Sequence, residues 1–128
     1  MRKGILLFLL PLLFLLGGIA SRETPEAVCD GVLSSMGFSR GGAFSKEEVV
    51  LPKRGDITWD AYLDMQTENG YTLCDYAGRA VLRLSCSVGN HPKGAAYATF
   101  YWQGGQLLGG DVLSPALDGF LMPIPPQK

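Results

Sequence analysis

The chain predicts an α+β domain: one N-terminal helix packed on an antiparallel meander sheet of five to six strands, with scope to curl toward a small barrel. Two patterns carry this. Residues 24–36 repeat apolar side chains at helical spacing, and after residue 47 short β-branched or alternating runs recur between Gly, Asn and Pro turn signals.

For the helix, Thr24 can cap the amino end, Pro25 suits the first turn and Glu26 complements the dipole there. Cys29, Val32, Leu33 and Met36 fall at i, i+3, i+4 and i+7 and share one face, and Gly37 stops the helix. Glu47 to Leu51 reads as a short strand ending at Pro52. Thr58 to Gln66 alternates, with Trp59, Ala61, Leu63 and Met65 on one face and Asp60, Tyr62, Asp64 and Gln66 on the other, so it is predicted as a strand. Asn69-Gly70 suits a type I′ hairpin into a strand at 71–76, and Ala77-Gly78 a second tight turn into 79–87. Residues 95–103 form an aromatic strand, and Gly104-Gly105 turns into 106–113.

If Ala77 and Gly78 are the turn, Leu73 faces Leu82 and Tyr71 faces Leu84. Cys86 then lies on the apolar face, while Cys74, opposite Val81, points to the other. This register predicts a Cys29–Cys86 disulfide between helix and sheet, constraining the unfolded chain by ~4 kcal/mol. Cys29–Cys74 is the alternative pairing. Cys74 is left as a free or intermolecular thiol able to hold a homodimer.

Oxidised cysteines presuppose export. Residues 1–20 have the make-up of a signal peptide: Arg2 and Lys3, an apolar run from Ile5 to Leu16, and small residues before Ser21. The alternative is an uncleaved anchor, since residues 4–20 just reach the ~17–25 residues of a membrane span. The expected location is periplasmic or secreted, with a single domain at 21–114 and a Pro-rich extended tail at 115–128. Loss of Arg2 and Lys3 leaves 9 basic against 12 acidic residues, a charge near −3. That balance argues against nucleic acid or, after cleavage, a membrane surface as partner.

No motif commits the chain to catalysis or to a cofactor. One histidine and cysteines without C-x₂₋₄-C spacing give no zinc pattern, and Cys74 or Cys86 with His91 makes a weak nucleophilic pair. Asp60 and Asp64 on one strand face stand roughly 13 Å apart, too far for two-carboxylate hydrolysis. Gly104-Gly105 and Gly109-Gly110 match neither a P-loop nor a dinucleotide fingerprint, and read as turns or a bulge.

What remains is a tyrosine-rich outer face. The expected partner-binding residues are Asp60, Tyr62, Asp64, Tyr76, Arg83, Tyr97 and Tyr101, with His91 in a neighbouring loop. By make-up alone, the expectation is a non-enzymatic protein-binding module of the kind that inhibits a cell-wall hydrolase or neutralises a secreted toxin. Its rivals are a small enzyme or ligand carrier with an aromatic pocket (Trp59, Phe100, Trp102) and an envelope assembly component.

Overall fold

The computed structural model describes residues 24–92, 94–115 and 120–126. Its elements in order are α1 (Pro25–Ser35), β1 (Ser45–Val50), α2 (Ile57–Glu68), a 3₁₀ turn (Leu73–Tyr76), β2 (Ala80–Ser87), β3 (Tyr97–Gln103), β4 (Gln106–Ser114) and β5 (Phe120–Pro123). The strands lie side by side in chain order, each antiparallel to the next. This is an α+β fold with an open five-stranded sheet, not a barrel, and its described residues hold two α-helices where the sequence predicts one. The leader reading falls on residues outside those described.

Local chemistry explains α1. The Thr24 hydroxyl accepts the Ala27 N–H at 3.1 Å, and Pro25 occupies the first turn. At the other end Gly37, at φ 84°, lets its own N–H reach Ser34 O and that of Phe38 reach Leu33 O, both at 2.9 Å.

The segment 58–66 is helical, not a strand. Trp59, Tyr62, Leu63 and Gln66 recur at i, i+3, i+4 and i+7, so Trp59 and Leu63 satisfy both periods and the alternation alone does not discriminate. The ends decide it. Asp56 accepts the Trp59 N–H at 3.0 Å and caps the amino end. Gly70, at φ 83°, closes the other end, with Gly70 N–H on Thr67 O at 2.9 Å and Tyr71 N–H on Gln66 O at 3.0 Å. The Asn69-Gly70 pair is thus a helix stop, not a hairpin, because a residue at φ > 0 serves either.

Residues 71–76 likewise form no strand, and Ala77-Gly78 is not a hairpin turn. Gly78 N–H bonds Leu51 O and Leu51 N–H bonds Arg79 O, each at 2.9 Å, which lays β2 beside β1 in the register Ser45↔Ser85 to Val50↔Ala80. Leu73 and Leu82 consequently join different clusters.

The apolar clusters follow the alternation of the strands. The first gathers Leu84, Cys86, Ala98, Phe100 and Val112 with Cys29 and Leu33 of α1. The second gathers Val81 and Leu108 with Leu63 of α2, Leu51 and Leu73. Neighbouring strand positions feed opposite clusters, so apolar groups pack on both faces of the sheet. The C-terminal segment contributes more than an extended tail. It adds β5, buries Ile124 in the first cluster, and its Pro125 carbonyl accepts the Tyr71 hydroxyl at 2.7 Å.

All three cysteines are free, and no two stand at disulfide distance. The expected Cys29–Cys86 bridge is not formed, although both thiols are buried in the first cluster. Cys74 is half-buried at the margin of the second.

Candidate binding face

The strand registers arrange the face beneath α2 into cross-strand rows. One runs Glu47, Arg83, Tyr101, Gly109. The next runs Ser45, Ser85, Thr99, Asp111, Pro123. The third runs Ser87, Tyr97, Leu113, Leu121. They differ in cover. Tyr101 is half-buried and packs with the α2 cluster, Asp111 is buried, and Tyr97, Leu113 and Leu121 are 50%, 39% and 38% exposed.

Two side chains of α2 hold it to β4. Gln66, buried, donates its amide N–H to Gly110 O at 2.9 Å and accepts the Gly110 N–H at 3.0 Å. The close approach requires glycine. A Cβ at Gly109 would stand 2.5 Å from Gln66 Oε1, and one at Gly110 would stand 2.4 Å from Thr99 O. The β3–β4 register also shifts between Tyr101 and Trp102, which leaves Leu108 as the extra residue of a bulge immediately before the Gly-Gly pair.

One turn earlier on α2, the Tyr62 hydroxyl donates to Asp111. Burial raises the Asp111 pKa, and the hydrogen bond from Tyr62 works against that rise. Burial, followed by the charge of Asp111, holds the Tyr62 phenol above its ordinary value, so it remains a donor. Tyr101 is raised by the same two causes, while the nearby Arg83 opposes them. Arg83 also pairs with Glu47 at 3.2 Å.

The expected binding residues therefore separate. Tyr62, Tyr76 and Tyr101 pack in the α2 cluster and are not an open tyrosine surface. Tyr62 stacks on Trp59 with centroids 5.6 Å apart, and the Arg79 guanidinium lies 4.6 Å from the Tyr76 ring centre. Asp60 and Asp64 sit one helical turn apart and both face Arg54, at 3.9 and 2.9 Å. They fasten the loop before α2 rather than lining a strand. His91 is buried in the loop that joins β2 to β3, its ring 5.1 Å from that of Phe38. Arg83 lies within the charged row, and Tyr97 alone of the four expected outer tyrosines is exposed.

Gln66, Asp111, Leu113 and Leu121 were not legible as site residues. Gly109-Gly110 carried the one usable signal, since a bulge places the residues after it in a new register. Trp59 packs in the second cluster while Phe100 and Trp102 belong to the first, so these three rings do not line one pocket. A groove of about 470 Å³ lies between α1 and the loop at Ser39–Gly42, with its charged groups Asp30 and Arg40 already paired at 2.7 Å. Among the described residues no cluster of three or more His, Cys, Asp or Glu could hold a metal ion, and no helix is long and apolar enough to cross a membrane. No protein-family model matches the chain, and no curated protein or solved structure is detectably similar to it.

Proposed function

We propose that this chain is an exported protein-binding module that blocks a secreted toxin or a cell-wall hydrolase by covering its cleft. One observation carries the binding reading: Tyr97, Leu113 and Leu121 sit opposite one another on three adjacent strands, all exposed. A contiguous row of large apolar side chains is an interaction feature, whereas single exposed apolar residues are ordinary. Tyr97 supplies a rigid aromatic body with a polar tip, and Ser87 and Thr99 beside it offer hydroxyls for a polar rim. The Tyr62–Asp111 and Gln66–Gly110 contacts brace β4, the strand that presents Leu113. Export rests on the make-up of residues 1–20.

The test is capture from the envelope and culture fluid of the native source. Tyr97→Ser combined with Leu113→Ser is expected to weaken capture at least about thirtyfold while the thermal midpoint stays within a few degrees. Equal capture by the double variant discards this surface.

A further inference from the structure

The sheet has two edges of different character. β5 is four residues long and ends in Pro123, and proline donates nothing to a ladder. β1 runs six residues, about 20 Å, with no proline. It stands first in the strand order, and five of its six residues are exposed. Among the described residues no strand lies on its outer side.

Natural edges are guarded by charge, and β1 has three charged residues. Two of them are engaged within the molecule. Lys46 meets Glu26 of α1 at 2.7 Å, and Glu47 meets Arg83 of β2 at 3.2 Å. Glu48 has no ion pair among the described residues. On the same strand face, two positions on, Val50 is 69% exposed.

We propose that the outer edge of β1 receives an extended strand from a partner protein, antiparallel, with a basic residue opposite Glu48 and an apolar residue opposite Val50. A strand edge offers N–H and C=O groups in alternation, which another extended polypeptide matches along its whole length. Charge selects the occupant. Two copies of this chain joined antiparallel through β1 keep the same face up, so the central registers set Glu47 against Glu47 or Glu48 against Glu48, and like charges directly opposite are destabilising. A basic strand instead neutralises Glu48. The antiparallel sense gives the partner a readable pattern, an apolar residue two positions before a basic one. This inference goes beyond the reading built on Tyr97, because β1 and β5 are opposite ends of the sheet and each surface fails or stands alone.

The experiment is an amide titration of the isotope-labelled protein with two soluble synthetic heptapeptides. One carries valine, threonine, lysine at its centre, and the other has glutamate in place of that lysine. The lysine peptide is expected to give saturable shifts and slowed hydrogen exchange confined to Ser45–Val50 and its neighbours, with binding about fivefold weaker for the glutamate peptide. Glu48→Lys should reverse this preference and Glu48→Gln abolish it, both without moving the thermal midpoint or capture through Tyr97. Unchanged β1 amides, shifts centred elsewhere, equal binding of the two peptides, or self-association through β1 would each overturn the proposal.

Discussion

Asp111 is a carboxylate under a helix, and its partner Tyr62 comes from 49 residues earlier in the chain. Burial outweighs the hydrogen bond and leaves its folded pKa raised. A group raised on folding stabilises the fold in its protonated form. That contribution is full below the unfolded carboxylate value of about 3.9 and fades as pH rises through the higher folded value. Asp111→Asn keeps an acceptor oxygen for Tyr62 without a charge. It is expected to gain on the parent as pH rises from about 4 through the range where the folded carboxyl ionises. Urea midpoints of both proteins across that range check it; parallel curves would mean that Asp111 titrates alike folded and unfolded. Nothing local marks this residue. Its neighbours Gly109-Gly110 read equally as a turn or a bulge, and the difference lies in how closely Gln66 and Thr99 approach.

At the scale of elements, α1 was legible because cap, proline, apolar face and glycine stop agree. α2 was not, since Trp59 and Leu63 fit either period and Asn69-Gly70 ends a helix as readily as it turns a hairpin. The missed sign was Asp56, placed to cap residue 59. Asp56→Ala should therefore cost about 1 kcal/mol of stability, measured by denaturant unfolding, with amide exchange accelerated first in α2. A strand at 58–66 would make that substitution nearly neutral. The second hairpin failed for a related reason. Gly78 bonds Leu51, a partner 27 residues away, and a register drawn from the turn alone cannot anticipate it.

For the whole molecule, burial decides which thiols react. Cys29 is fully buried and burial pushes its pKa up to about 12, whereas Cys74 is half-buried beside Thr67 and Asp75. Alkylation of the native protein, followed by peptide mapping, is expected to label Cys74 first and Cys29 only on unfolding. Label on Cys29 at the rate of Cys74 would contradict this packing. By itself the sequence determined the α+β class, the first helix and the strands flanking Gly104-Gly105, because these depend on periodicity and turn chemistry within a few residues. Only the tertiary structure decided that 57–68 coils over the face carrying Tyr101. Which side chains meet across a sheet depends on strand register and on contacts distant in the chain, so the local caps of α2 could not foretell that Gln66 and Tyr62 would meet Gly110 and Asp111.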